Sequence, residues 1–276
     1  MARAAWTEIT GHGRLVRTVP TAGDRVREAT GVAIARGTGE RPVGVSGRRR
    51  EPGGPWVFLA AATFYPLTLL LARRRMEGLE HVPAEGPALL VANHVSYLDP
   101  VYTAVFVHRA RRVPRFLAKD SLWRVPVFGR VLSGSKQIPV SRGSRDAGAS
   151  LAAAERSLDD GGVVVIYPEG TITRDAAGWP MEARSGAARL ALLHDVPVIP
   201  AVHWGTLSVY DHYNKRFRPS RRKEVVLKAG PPLDLDDLRA QVGGKPPGAR
   251  LMRETTERMM DAVTALLEDV RGEVRP

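Results

Sequence analysis

Short apolar runs alternate with helical stretches along the chain beyond residue 76. Runs at 88–92 (ALLVA), 115–118, 137–140, 163–167 (VVVIY), 196–202 and 224–228 read as strands. Between them, 146–158 and 185–194 read as helices, and 252–270 closes the chain as an amphipathic helix. This alternation predicts an α/β fold, a largely parallel mixed sheet flanked by helices, over residues 76–276.

Upstream the pattern changes. The sixteen-residue stretch 56–71 (WVFLAAATFYPLTLLL) carries no charge and is bracketed by Arg48, Arg49 and Arg50 before it and Arg73, Arg74 and Arg75 after it. At ~1.5 Å per residue it reaches about 24 Å, short of a hydrocarbon core of ~30 Å. An interfacial or re-entrant helix over 55–75 is therefore expected, with the arginine triplets in a lipid headgroup layer. The expected partner is a membrane phospholipid surface, and the expected location is the cell membrane, peripheral or monotopic on its cytoplasmic face. Residues 1–54, with ten arginines against five acids and no sustained apolar periodicity, read as a disordered basic tail.

Composition narrows the function classes. The chain has 276 residues, enough for one full α/β domain, and 43% hydrophobic with 25% charged residues is an ordinary globular balance. A net charge of +12 points to an anionic partner. With aromatics at only 6% and no nucleic-acid-binding signature, a lipid surface or phosphorylated substrate is favoured and no nucleic acid is expected. The absence of cysteine removes disulfides, cysteine metal sites and any thiol nucleophile. No His-Glu-x-x-His, nucleotide-binding glycine loop or Gly-x-Ser-x-Gly elbow is present, so neither a metal nor a bound cofactor is expected, and the nucleophile should come from the substrate.

Three segments carry candidate chemistry. In VANHVSYLDP, Asn93 and His94 follow the apolar run, and Asp99 stands five positions after the histidine. On one continuous helix that step is a rotation of about 140°, so a turn must intervene if the pair is to touch. Asp99 followed by Pro100 supplies a helix start, with Asp as cap and Pro at the first helical position. A carboxylate there can orient one imidazole nitrogen and leave the other as a base, although each residue alone fits a plain cap and a plain loop histidine. In VVVIYPEGTITR, a strand delivers Glu169, Gly170 and Thr171 into a loop, and Thr171, Thr173 and Arg174 offer donors to an anionic group. Arg142 and Arg145, after the strand KQIPV, could clamp a phosphate or form a solvated basic edge.

The order of these motifs resembles the glycerolipid acyltransferase family, specifically the 1-acylglycerol-3-phosphate acyltransferases. The resemblance covers roughly residues 56–230 and runs through Asn93, His94 and Asp99, then 116–129 (FLAKDSLWRVPVFG), 138–142, 168–171 and 196–200. It implies that His94 is the general base on an acceptor hydroxyl, that Asp99 orients it, and that Lys119 helps stabilise the developing oxyanion. It also implies acceptor binding by Arg142, Glu169, Gly170 and Thr171; Asn93 and, from the motif's own donors, Arg174 are further candidates on the substrate side. The co-substrate would be acyl-CoA or acyl-carrier protein, the acceptor a lysophospholipid of the lysophosphatidic acid kind, and no covalent acyl-enzyme would form. Two departures fall on the acceptor side: Ile172 stands where arginine is common, with Arg174 two residues later, and Lys136 stands where glycine is common. A same-fold enzyme using another lysophospholipid or a lipid-linked sugar is the main alternative; a catalytically silent lipid-binding protein is a second.

Overall fold

The computed structural model describes residues 50–140 and 147–276. Helix α1 (Gly54–Leu71) leads into strand β1 (Arg73–Glu77), β2 (Ala88–Ala92), α2 (Asp99–Arg109), β3 (Pro114–Lys119), α3 (Pro126–Gly134), β4 (Ile138–Val140), α4 (Ala147–Asp159) and β5 (Val163–Ile166). Then follow α5 (Gly186–Leu193), β6 (Val198–Trp204), α6 (Thr206–Val209), the hairpin β7 (Tyr210–Asp211) and β8 (Arg216–Phe217), β9 (Glu224–Ala229), α7 (Asp236–Arg239) and α8 (Ala249–Arg271).

Among the described residues seven strands form one sheet in the order β1-β9-β6-β2-β5-β3-β4. The five from β6 to β4 run parallel; β9 pairs antiparallel with β6 and carries β1 parallel beside it. This is the mixed, largely parallel sheet that the pattern predicts. Every residue of β2 and β5 is buried, because helices cover both faces. Leu89, Val91, Val164 and Ile166 point into one core with Leu158, Leu190, Met259 and Leu267 from α4, α5 and α8. Leu90, Val163, Val165 and Ile199 point into the other with Tyr102 and Phe106 of α2. Helix α8 buries Thr255, Met259, Ala262, Val263 and Leu267, a stripe of helical spacing, and stops at Gly272 with φ +68°.

The N-terminal region departs from the expected helix over 55–75. Helix α1 ends at Leu71, and Arg73, Arg74 and Arg75 form the start of the edge strand β1. Alternation along that strand splits the triplet. Arg74 turns inward, where its guanidinium donates to Thr68 Oγ1 (2.8 Å), while Arg75 pairs with Glu77 at 3.3 Å. A charged run at a sheet edge also discourages pairing with other chains, and this is why no apolar signal marks it in the sequence. Helix α1 itself packs on α2 and α3 but buries only Thr68 and Leu71; Phe58 (74% exposed), Leu59, Leu69 and Leu70 face outward.

The expected tail lies outside the described residues up to 49, but Glu51, near its expected end, is held in the domain. Its carboxylate meets Arg112 Nε and Arg115 Nη2, both at 3.0 Å, and accepts the Val113 N–H at 2.9 Å. Arg112, 2% exposed, also donates to the carbonyls of Pro83, Gly86 and Gly161, tying three loops together at the amino ends of β2 and β5. Removing one partner of a buried charge pair leaves the other charge and the carbonyls unsatisfied. Arg112→Met is expected to cost about 3 kcal/mol in urea or thermal unfolding. Glu51→Gln, at a partly exposed carboxylate, is expected to cost less, about 1 kcal/mol.

Candidate active site

Parallel strands that run side by side deliver the loops at their carboxyl ends to one place. Here β2 ends at Asn93 and His94, its neighbour β5 at Tyr167 and Glu169, and its other neighbour β6 at Gly205 and Thr206. The turn required by the His94–Asp99 spacing exists: Asp99 opens α2, and its Oδ2 lies 2.9 Å from His94 Nδ1. The carboxylate caps backward rather than forward. Oδ2 accepts the backbone N–H groups of Val95 (2.6 Å) and Ser96 (2.8 Å), and Leu98, not Asp99, occupies the position before the helix. Oδ1 accepts from the Thr206 hydroxyl at 2.6 Å.

Asp99 has no exposed surface. Burial by itself opposes its ionisation, but His203, His94 and the Thr206 hydroxyl outweigh burial and hold the carboxyl below its usual range. His94 lies stacked on Tyr167, with ring centroids 4.3 Å apart, and keeps 14% of its side chain exposed. Burial pushes the Tyr167 phenol well above 10, and the Asp99 charge adds to this, so it stays neutral in its hydrogen bond with Thr103 Oγ1 at 3.0 Å.

The other expected site residues are distributed unevenly. Glu169 comes to the site but is 3% exposed, with its carboxylate engaged: Oε1 accepts the His94 N–H (2.9 Å) and Oε2 the Met181 N–H (3.1 Å). Burial raises its pKa against those hydrogen bonds. Asn93, expected on the substrate side, turns inward and has no exposed surface. Its amide bonds both ways to the backbone of His203, at 2.7 and 3.1 Å, and so clamps the end of β2 to β6. That double bond uses the polar atoms a substrate would need. Gly170 has φ +69°, and a Cβ there would come within 3.0 Å of Arg184 Nε, so the turn requires glycine. Thr171 is half-buried beside it.

Arg174 is exposed on the rim of a cleft of about 580 Å³ walled also by Trp204, Ser208, Asp211, Tyr213 and Asn214. Lys119 is exposed at the end of β3, two strands from β2, on the order of 10 Å at ordinary strand spacing. Arg142 and Arg145 lie outside the described residues. Among the described residues no three His, Asp or Glu side chains group as metal ligands.

Sequence reasoning missed Thr103, His203 and Thr206. They surround Asp99 from α2, β6 and the turn after it, and only the adjacency of β6 to β2 reveals them. The usable signal is that the run 196–202, itself strand-like, is followed directly by His203, much as the run 88–92 is followed two residues on by His94.

Residues 73–204 match the family model named Acyltransferase. A 1-acyl-sn-glycerol-3-phosphate acyltransferase of Chlamydomonas reinhardtii is 29% identical over 182 residues, 64% of this chain and 50% of its own. One of Borreliella burgdorferi is 29% identical over 130 residues, 47% of this chain and 50% of its own. This chain thus spans about half the length of these relatives. The crystal structure of the 1-acyl-sn-glycerophosphate (LPA) acyltransferase PlsC of Thermotoga maritima superposes with a TM-score of 0.57, covering 80% of this chain and 81% of its own. At 22% identity that likeness is one of fold. The sheet, the carboxyl-end site and the matched segment make the chain similar to acyltransferases. The relatives from Chlamydomonas reinhardtii and Borreliella burgdorferi both carry the name 1-acyl-sn-glycerol-3-phosphate acyltransferase.

Burial also depresses His203, to about 4. A histidine whose folded pKa lies below its unfolded value binds fewer protons when folded. The stability associated with it is therefore present above about 6.5 and is lost as pH falls toward 4. The difference in unfolding free energy between wild type and His203→Leu is expected to fall by about 3 kcal/mol from pH 7 to pH 4, measured by urea titration at each pH.

Proposed function

We propose that this chain transfers a fatty acyl group from acyl-CoA or acyl-carrier protein to the free hydroxyl of a lysophosphatidic acid-like acceptor, giving phosphatidic acid. The observation that carries the reading is the oriented imidazole, 14% exposed: Nδ1 is fixed on a buried carboxylate, and Nε2 has no hydrogen bond among the described residues. Such a base takes the acceptor's hydroxyl proton as the oxygen attacks the thioester carbonyl. The tetrahedral adduct then expels the thiolate, which recovers the proton from His94, and the carbon–sulfur bond is exchanged for a carbon–oxygen bond. No residue of the chain becomes acylated.

Other roles follow on this reading. Glu169 acts through the His94 backbone, holding the loop that presents the imidazole. Asn93 fixes the strand end below it. Gly170, Thr171 and Arg142 remain the acceptor side, and Lys119 would need the acyl donor or a loop movement to bring its charge near the carbonyl. Arg174 on the cleft rim favours a second reading in which the acceptor is another lysophospholipid or a lipid-linked sugar, because a cation displaced from the usual place would meet a displaced phosphate.

Helix α1, eighteen residues or about 27 Å long and apolar on its outward face, supports association with a membrane, here proposed as one leaflet on the cytoplasmic side. The purified protein with labelled acyl-CoA should convert a lysophosphatidic acid acceptor in preference to other lyso-acceptors, resolved by thin-layer chromatography. His94→Ala, shown to be folded by circular dichroism, should lose at least about a hundredfold in rate. Near-wild-type turnover in that variant would exclude the mechanism. Liposome flotation should show the full chain and a chain lacking residues 1–49 still bound at ~1 M salt, where the Debye length is about 3 Å. Release of both would mean that α1 does not enter lipid.

A further inference from the structure

His203 is fully buried and its imidazole Nδ1 has no hydrogen-bond partner, yet it lies 4.0 Å from Asp99 Oδ1, on the side of the carboxylate away from His94. An unsatisfied buried donor or acceptor costs stability, so its retention calls for a cause. The surroundings decide which proton it carries. Thr103 Oγ1 lies 2.8 Å from His203 Nε2, 3.0 Å from the Tyr167 hydroxyl and 3.0 Å from the Asp99 main-chain oxygen.

The Tyr167 phenol, held neutral, has a proton it can donate to Thr103. The Asp99 main-chain oxygen lies in the first turn of α2, where the Thr103 N–H four residues on satisfies it through the helix ladder. The Thr103 hydroxyl can donate either to that oxygen, which already has its helical partner, or to His203 Nε2, and the charge of Asp99 beside the ring favours the second. The imidazole then carries its own proton on Nδ1, with the N–H dipole aimed at the Asp99 carboxylate. The opposite tautomer would set a bare lone pair against a buried anion with no donor between them, an unfavourable arrangement in a low-dielectric interior.

We infer that His203 is a positioning residue for the acyl transfer, a neutral imidazole whose Nδ1–H stabilises the far side of Asp99 and so keeps the His94–Asp99 pair poised as carboxylate and neutral base. The inference rests on the proposed acyltransferase activity for its kinetic readout only. The groups facing this cluster are Asp99 from α2, His94 from the loop after β2, Tyr167 and Glu169 from the end of β5, and His212 from the turn after β7. None of them supplies a second donor to Oδ1; Thr206 supplies the first.

Removing a positive dipole beside the pair makes it easier for the pair to gain a proton. In His203→Leu the acid limb of the kcat/KM profile should therefore move to higher pH by about half to one unit, a three- to tenfold loss on the acid side and little at alkaline pH. His203→Asn places an amide N–H where Nδ1 stood and should return the limb to its wild-type position, which a merely space-filling role would not require. A limb that stays put in the Leu variant, or moves to lower pH, overturns the inference. The wild-type protein gives an independent arm: with ¹⁵N-histidine labelling, the two-bond correlation pattern of His203 should report a protonated Nδ1 and a bare Nε2 at neutral pH. The reverse pattern overturns the inference even if the enzyme is fully active. Absence of turnover in the wild type would instead count against the proposed activity and leave the tautomer result standing.

Discussion

A carboxylate can remain ionised in a dry interior only if hydrogen-bond donors replace the water it has lost. Asp99 is in that position, and much of the architecture can be traced to its needs. Two donors are backbone N–H groups of the loop that α2 pulls into a turn. One is the imidazole it orients. The last is Thr206, which arrives from a strand more than a hundred residues later and reaches the carboxylate only because β6 lies next to β2. The clamp from Asn93 to the His203 backbone sets that adjacency at the very level of the sheet where it is used. Gly205, with φ +89° and its Cα against the Glu224 carbonyl, gives the chain the sharp exit that lets Thr206 turn back.

How much of this the amino-acid sequence makes legible depends on how local the cause is. The strands at 88–92 and 163–167 are readable because helices cover both sheet faces, so every position must be apolar. Strand β1 is not, because its five residues are RRRME and an edge strand may carry charge on both faces. Helix α2 is readable at its first residues, where Asp and Pro mark a start, but the sense of the Asp99 cap is not, since the carboxylate serves N–H groups behind it. The histidine–aspartate pair is legible from its spacing only together with the second motif at 163–174. Its supports, Thr103, His203 and Thr206, are not, because no periodicity connects residue 99 to residue 206.

Glu169 and Asn93 illustrate the same limit in the other direction. A polar residue in a loop at a strand end is naturally assigned to the ligand, yet a loop that holds a catalytic group must first have its own backbone N–H groups satisfied. Glu169 does this for His94 and Met181 with one carboxylate, and the Thr173 N–H returns a bond to the His94 carbonyl at 2.7 Å, so both sides of the His94 peptide are tied to the same loop. The motif's polar residues thus divide between those that face the substrate and those that keep the base still, and only burial separates the two sets.

The remaining link is between the site and the outward apolar face of α1. Helix α2 begins at Asp99 and runs back beneath α1: the Tyr102 hydroxyl donates to the Thr68 carbonyl, and Tyr65 meets His108 near the other end. Tyr102 and the site residue Thr103 are adjacent, so the face of α2 that seats α1 and the face that supports Asp99 are turns of one rigid element. An acceptor whose acyl chain stays in lipid can bring only its hydroxyl out to the imidazole. On the proposed reading, the distance from the leaflet to His94 is therefore fixed by the packing of α1 on α2 and not by the charged segments around it. The placement of Arg74 agrees with this: its guanidinium is spent on the Thr68 hydroxyl at the base of α1, where it secures the helix to the domain instead of lying among headgroups.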